Sequence, residues 1–462
     1  MSITEDKPIK LFSKYLLASF GSAIVMSIYS LVDALCVGQY EGEVGGAALA
    51  VVMPLWTIIF SFGLLFGIGG ATLMVERRGR NEIEEGNVFY TVAFIGAAFI
   101  TIILWILINC FENPLLRFFG ASDDTVFSYA KKYTFWMKIS LPVFLLGQFF
   151  TCFLRNDHAP MRATLAVICG GITNIILDVS LVFGCKMGIR GAGLATMIGQ
   201  FVSFGILCTH FFSKKRQIKF VKINKFKRNL FQIVKVGIPS FVLDIAMGVL
   251  VILFNNQIVT YTDGEEETAT LAIYGVICNI VALVQSLGYA VGQASQPLLS
   301  ENYGAGKLSR VKKFLKYGII SCCIISFIAV LFLELFPKEV LCIFLSVEKD
   351  SLILKICSSI ERKYFLSFIF LCFNVFTTYY LQSILKAHYA FIVSICRGFI
   401  ISCSLLYFLP AVFGFSAIWY TMLITEIIIL SINVFLVIKT YRKLEYNKGD
   451  IGVVDYEPKI QK

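Results

Sequence analysis

Six polar side chains stand in places where a chain ordinarily carries apolar ones. Asp33, Asn174, Asp178, Thr196, Asp244 and Glu426 each interrupt a long hydrophobic run. A charged group at the centre of such a run, if the run crosses a bilayer, costs at least about 2.5 kcal/mol, so each is a functional candidate by default. Asn174 precedes Asp178 by four residues, which places both on one face of a helix. Two neighbouring carboxylates in a low dielectric cannot both stay charged cheaply, so one holds a proton. The same oxygens, with an Asn carbonyl and a Thr hydroxyl, could instead ligate Na⁺ as a hard cation. A third reading is a buried polar knot that only pins helices together. Asp244 and Glu426 are candidates for a substrate cleft. Lys138 and Arg397 lie close enough to the ends of their runs for snorkelling to explain them.

The elements that must position these residues are membrane helices. The chain has 462 residues, 57% hydrophobic and only 15% charged. A soluble chain carries about 25% charged residues, so a water-facing surface could not be covered. Soluble enzymes and nucleic-acid binders are excluded on that ground. The net charge of +11 therefore reads as membrane orientation and attraction to anionic headgroups. Fourteen cysteines are scattered through apolar runs without a CxxC pair, as small buried hydrophobes. The N-terminus runs straight into a long apolar span, with no cleavable signal segment.

Twelve apolar runs are long enough to cross about 30 Å of hydrocarbon. They lie near 12–37, 47–75, 88–110, 132–154, 163–185, 190–212, 231–260, 269–299, 314–336, 361–385, 389–411 and 414–438. With the N-terminus inside, 28 Lys and Arg fall in inner segments and 10 in outer ones. Shifting the count by one span would spoil that alternation, so both termini are expected in the cytoplasm.

Depth follows from the helix rise of about 1.5 Å per residue. Asp33 lies about 28 Å past Lys14, Asp178 about 24 Å past Arg162, and Thr196 about 9 Å from the outer Arg190. Asp33, Asn174, Asp178 and Thr196 thus share the outer part of the N-terminal half. The basic segment 213–229 divides the chain into an N-lobe (1–212) and a C-lobe (230–440), followed by a cytoplasmic tail (441–462). Six spans per half is an even number, so the halves are parallel repeats about a pseudo-two-fold axis along the membrane normal. GIGGATLMVERRG (67–79) lies over GQASQPLLSENYG (292–304), with Gly67/Gly292, Leu73/Leu298, Glu76/Glu301 and Gly79/Gly304 in register. The expected fold is an all-α membrane protein of two six-helix lobes with a cleft between them.

Three stretches carry a resemblance. SLVDALCVG (30–38), NIILDVSLVFGCKMGIRGAGLAT (174–196) and GQASQPLLSENYGAGK (292–307) resemble the signature segments of the multidrug and toxic compound extrusion family. The resemblance covers essentially the whole chain. It implies an exporter of amphipathic, often cationic compounds, driven by inward H⁺ or Na⁺. It also implies an N-lobe cation site made of an Asp in the first helix, an Asn and Asp in the fifth and a Thr in the sixth. Those positions match Asp33, Asn174, Asp178 and Thr196. Two departures matter. Ala18 stands where many members have a proline before the first-helix Asp, so a proline-hinged first helix is not expected. The tenth helix carries Asn374 and no carboxylate, and Asp244 does not obviously match the family's position in the seventh. Coupling should therefore rest on the N-lobe.

Other features read blandly. The acidic stretch YTDGEEET (261–268) is expected as a solvated outer hairpin, and the three His lie near inner ends without metal-site spacing. No GxxxxGK[ST] occurs, so ATP is not the energy source. No cofactor, and no metal beyond Na⁺, is expected. The expected reading is a monomeric, multi-pass, cation-coupled antiporter in the cytoplasmic membrane, working by alternating access. One rival is a flippase for lipid-linked oligosaccharides, which needs a basic central cavity. A membrane-embedded enzyme using buried carboxylates is the other, and no catalytic motif supports it. The orientation predicts that a single cysteine at Lys222 stays unlabelled by an impermeant thiol reagent added outside intact cells. Ready labelling from outside would overturn the two-lobe topology.

Overall fold

A computed structural model describes residues 3–214, 216–337, 339–340 and 352–446. Of the expected tail 441–462, residues beyond 446 lie outside the described residues. The basic residues expected outside at 338 and 349 do as well.

Among the described residues, eleven helices are long and apolar enough to cross a membrane. The first, Pro8–Gly79, has 72 residues. Straight, it would reach about 108 Å, more than three bilayer cores, so it must double back. It does so at Gly42, whose φ of 65° and ψ of −149° lie where only glycine sits without strain. The result is twelve crossings, as the hydropathy implied. The later spans are Ile83–Cys110, Asp124–Asn156, Pro160–Gly184, Ile189–Phe212, Phe226–Tyr261, Gly264–Gly304, Leu308–Leu335, Ile360–Ser383, Ala387–Phe413 and Phe415–Arg442.

Two boundaries differ from expectation. The seventh span begins at Phe226, so the end of the 213–229 segment is helical. Most of the 261–268 stretch is helical too: Glu265, Glu266 and Glu267 form the first turn of the eighth span. Carboxylates there face the positive end of the helix dipole, which stabilises the turn better than a solvated hairpin would. Pro54 is the only proline inside Pro8–Gly79, so the first span has no proline hinge.

Turns between successive spans gather alternately at two faces. One, the basic face, carries the chain start and 213–229. There Asp157, in the turn after the fourth span, is 1% exposed. It accepts from Arg78 Nη1 at 2.7 Å, His210 Nε2 at 2.7 Å and the Gln217 backbone N–H at 3.1 Å. The linker then runs along the third span, Lys219 N–H donating to Asn87 Oδ1 and Val221 N–H to Thr91 Oγ1.

The lobes meet along the second and eighth spans, and each supplies a glycine at the basic end. A Cβ on Gly79 would strike the Glu301 carbonyl, and one on Gly304 would strike the Glu76 carbonyl. This is a reciprocal contact of the kind a two-fold axis generates, made by the same pairs the internal repeat aligned. Gln296 Nε2 reaches the Ile68 carbonyl at 3.3 Å and the Thr72 hydroxyl, and Arg155 Nη1 reaches Gln293 Oε1. The lobes are thus fastened to each other at the basic end. Nearer mid-membrane, Ser27 Oγ meets Ser286 Oγ at 3.3 Å.

Burial alone would raise the Asp157 carboxyl. The His210 hydrogen bond, the Arg78 charge and the Gln217 N–H outweigh it and hold the carboxyl below its ordinary value of 3.8. A lowered carboxylate contributes stability above its unfolded value and loses it only as pH falls through the folded one. Amide exchange across 217–221 should therefore be equally protected from about pH 8 to about pH 6, after correction for intrinsic rates. Asp157→Asn leaves Arg78 buried without its counter-charge and should cost about 3–5 kcal/mol locally. Unchanged protection of 217–221 in that variant would show that the linker is held by other contacts.

Candidate functional site

Close backbone approach builds the N-lobe site. The fifth and sixth spans cross at Gly170 and Gly199, where a Cβ on either would lie 2.7–2.8 Å from the other's carbonyl oxygen. Such small-residue crossings let membrane helices pack tightly. Here the crossing brings Asn174 against the sixth span, and Asn174 Nδ2 donates to Thr196 Oγ1 at 3.3 Å. At the outer end, Glu41 Oε1 accepts from the Ile189 backbone N–H at 3.1 Å. This ties the first hairpin to the turn between the fifth and sixth spans and fixes the depth of Asp33. Asp178 ends the α-helical part of the fifth span, and Val179–Gly184 continues it as a π-helix. Widened turns of this kind are frequent at functional sites.

The four residues singled out from the sequence converge, joined by one that was missed. Tyr133 of the fourth span donates its O–H to Asp33 Oδ2 at 3.4 Å, and its oxygen lies 3.5 Å from Thr196 Oγ1. All five are nearly or fully buried, from Asp178 at 0% to Thr196 at 9% exposed. Asp178 lies one helical turn beyond Asn174 on the fifth span. Most telling are the acceptors left over: Asp33 Oδ1, Asn174 Oδ1 and both Asp178 carboxylate oxygens have no hydrogen-bond partner among the described residues. A buried acceptor without a partner costs about 1–3 kcal/mol, more if charged. Four together form a donor set of hard oxygens that suits a proton or Na⁺. A cavity of about 30 Å³ adjoins Asn174 between Tyr29, Gln148, Gln200 and Ser203, enough for a water or a bare cation.

Asp244 and Glu426 part company. Asp244, 8% exposed, accepts from Tyr289 O–H at 2.7 Å through Oδ1, while Oδ2 has no partner. Tyr289 lies on the eighth span, one turn from Ser286 at the lobe boundary. Glu426 is fully buried inside the C-lobe. Arg397 binds its Oε1 through Nε at 2.9 Å and Nη2 at 2.6 Å, and Asn374 Nδ2 binds its Oε2 at 2.6 Å. Asn433 Nδ2 completes the knot by donating to Asn374 Oδ1 at 2.8 Å.

Two sequence expectations are corrected by this knot. Arg397 does not snorkel: it is 3% exposed and its charge is met inside the protein. Glu426 does not line a cleft, because both of its oxygens are taken. Lys138 is also paired, with Glu112 just past the outer end of the third span, at 3.0 Å. Arg397 sits in a π-helical stretch, Cys396–Ile400, of the eleventh span, the C-lobe counterpart of the fifth. The two lobes therefore carry related interior knots with opposite electrostatics. In the C-lobe a guanidinium is built in; in the N-lobe no Lys or Arg among the described residues pairs with Asp33 or Asp178.

No cluster of three or more His, Cys, Asp or Glu with metal-binding geometry occurs among the described residues. Sequence reasoning missed Tyr133 because one aromatic among forty-three Phe and twenty Tyr leaves no hydropathy signal.

Comparison with known proteins agrees with the two-lobe fold. The family model described as MatE matches residues 18–180 and 245–408, once in each lobe. The chain is 22% identical over 438 residues to the multidrug export protein MepA of Staphylococcus haemolyticus (strain JCSC1435), covering 94% of both chains. It is 25% identical over 406 residues to the MepA of Staphylococcus aureus (strain MSSA476), covering 86% of both. Among solved structures, it superposes with a TM-score of 0.85 on a multidrug resistance MATE family transporter of the MOP superfamily in an outward-facing conformation. That match is 20% identical and covers 96% of this chain and 98% of the other. A MOP superfamily transporter from Pyrococcus furiosus Vc1 (DSM3638), titled for the reverse polarity of its binding pocket, gives the same TM-score at 18% identity and the same coverage.

The Arg397–Glu426 pair generates a stability test. Glu426→Gln leaves a buried guanidinium uncompensated and should cost about 3–5 kcal/mol, whereas replacing Arg397 and Glu426 together by Leu should cost much less. Thermal unfolding of the purified variants checks this. Equal losses in the single and double variants would mean that the pair's charge is not what the knot balances.

Proposed function

The chain belongs to the MatE family, and from that premise we propose that it is a cation-coupled multidrug exporter, not an enzyme. It would exchange H⁺ or Na⁺ for amphipathic, cationic compounds by alternating access across the cytoplasmic membrane. The basic face would be cytoplasmic, since 28 of the Lys and Arg flanking the spans lie in segments on that side.

One observation carries the reading: Asp33, Asn174 and Asp178 lie buried in one lobe with oxygens that have no hydrogen-bond partner among the described residues. Charge there is unbalanced until a proton or Na⁺ arrives, so occupancy changes the free energy of that lobe. A site drives transport only if one conformation binds the ion more tightly than the other. The first span supplies the link, since it carries Asp33 at the site and Ser27 at the lobe boundary. The closure at the basic end, through Gly79, Gly304, Gln296 and Arg155, is the contact that must release for the cleft to open inward. Substrate choice draws on Asp244, whose Oδ2 is an unpartnered acceptor near the lobe boundary. Arg397 and Glu426 are paired with each other within the C-lobe, and Arg155 is fastened to Gln293. An unpartnered carboxylate oxygen near the lobe boundary supports a cationic cargo over a phosphate-bearing one.

The test is efflux from proteoliposomes with ΔpH and a Na⁺ gradient imposed separately. Asp33→Asn and Asp178→Asn should each reduce gradient-driven efflux by about 5- to 150-fold, the range of ordinary coupling energies. Both should leave substrate binding largely intact. Thr196→Val should be mild if the ion is a proton, which needs no hydroxyl ligand, and severe if it is Na⁺. Asp244→Asn should weaken binding of a cationic dye such as ethidium and leave the response to the gradient unchanged. Full gradient-driven efflux in both Asp33→Asn and Asp178→Asn would leave the N-lobe cluster as a structural knot.

A further inference from the structure

A second binding feature lies outside the lobe boundary, on the periphery of the C-lobe. At the basic end of the ninth and twelfth spans, a groove of about 780 Å³ opens between Leu308–Leu335 and Phe415–Arg442. Its rim carries Lys312, Lys313, Lys316 and Arg442, and no acidic residue lines it among the described residues. Lys312 is engaged, its Nζ lying 4.3 Å from the centre of the Tyr441 ring. Lys313, Lys316 and Arg442 form no ion pair among the described residues.

Below the rim the groove changes character in a regular way. On the ninth span Lys316, Ile320 and Ile324 follow at intervals of four, and on the twelfth Arg442, Ile438 and Val434 do the same. Ile320 and Ile438 line the groove, and residues four apart share one helix face, so Ile324 and Val434 continue each wall beyond it as a ladder with a cation at the top and aliphatic rungs beneath. The rungs are open: Ile320 is 44% exposed, Ile438 47%, Ile324 54% and Val434 40%. Eight residues of helix span about 12 Å, so the ladders run from headgroup level well into the hydrocarbon. Wall and rim together match an amphiphile with an anionic head and an acyl tail.

We propose that this groove is a binding site for an anionic phospholipid. The phosphate sits among Lys313, Lys316 and Arg442, and an acyl chain lies between the two ladders. Basic pockets between membrane helices are the recurrent form of such sites. A free phosphate has no use for the aliphatic walls, and a soluble polyanion cannot follow them into hydrocarbon. A zwitterionic lipid satisfies the walls but brings its own cation to a rim that is already positive. The site is separate from the N-lobe cluster and from Asp244, so the proposal stands or falls independently of the transport reading.

The test uses the full chain, purified in detergent, with dioleoyl phosphatidylglycerol or dioleoyl phosphatidylcholine added. Retained lipid is counted by native mass spectrometry. Wild type should retain phosphatidylglycerol in preference, and retention should fall as salt rises. Each basic residue near a membrane surface is worth about fivefold, so Lys313→Gln, Lys316→Gln and Arg442→Gln combined should weaken it by about 100-fold. Lys313→Arg, Lys316→Arg and Arg442→Lys combined should restore it. Neutralising Lys222 and Lys227 in the linker, as a control for bulk charge, should change little. Three results would overturn the proposal: equal retention of both lipids by wild type, a linker variant as deficient as the groove variant, or full displacement by inorganic phosphate. If the neutralised groove variant proves unstable, the salt dependence of wild type and the charge-retaining variant still decide. Salt-independent retention would count against the site.

Discussion

A carboxylate withdrawn from water must be met by a positive charge, a proton or several donors, and the rest of this structure is arranged around that constraint. At Glu426 the C-lobe meets it from within. Glu426 receives two bonds from Arg397 and one from Asn374, and the knot is electrically complete. The N-lobe does not. Asp33 has one long hydrogen bond from Tyr133, and Asp178 has no protein partner. Its charge balance is left to something that comes and goes. Two halves of one internal repeat have thus reached opposite solutions, one permanent and one conditional. In the proposed exporter, the conditional lobe senses the gradient and the permanent one serves as the rigid body against which it moves.

The packing devices follow from what a membrane permits. Without hydrophobic drive between helices, close approach must come from small residues. Gly170 and Gly199 set the fifth span against the sixth and bring Asn174 to Thr196. Gly79 and Gly304 set the second against the eighth and close the basic end. The first crossing forms the site; the second forms the contact between lobes. Both are backbone contacts that almost any side chain would spoil, which separates them from the adaptable packing of the many Phe and Leu around them.

Much of this was legible in the sequence, for identifiable reasons. Twelve crossings were readable because hydropathy and charge alternation are summed over many residues, and Gly42 hid only the edge between the first two. Asp33, Asn174, Asp178 and Thr196 were legible because polar groups in hydrocarbon are rare and costly, and helix rise placed them at one depth. Whether they faced one another was not, since depth says nothing about rotation about the helix axis. Arg397 was misread for the same reason: distance from a span end suggested a route to water, while the local π-helical turn and Glu426, 29 residues away, decide its direction. Tyr133 was invisible because its role lies in a hydroxyl at the tip of an apolar ring. The acidic 261–268 stretch was taken for a loop because composition does not distinguish a solvated hairpin from a helix start rich in carboxylates.

The central claim is that Asp33 and Asp178 exchange a proton or Na⁺ while Glu426 does not. Infrared difference spectroscopy of the purified protein, recorded between acidic and alkaline buffer and with and without Na⁺, reads protonated carboxyl groups directly. The account predicts a carboxyl signal that responds to pH or Na⁺, is removed or altered by both Asp33→Asn and Asp178→Asn, and persists in the Arg397→Leu, Glu426→Leu double variant. A signal that survives both Asp substitutions, or vanishes only when Glu426 is replaced, would contradict it.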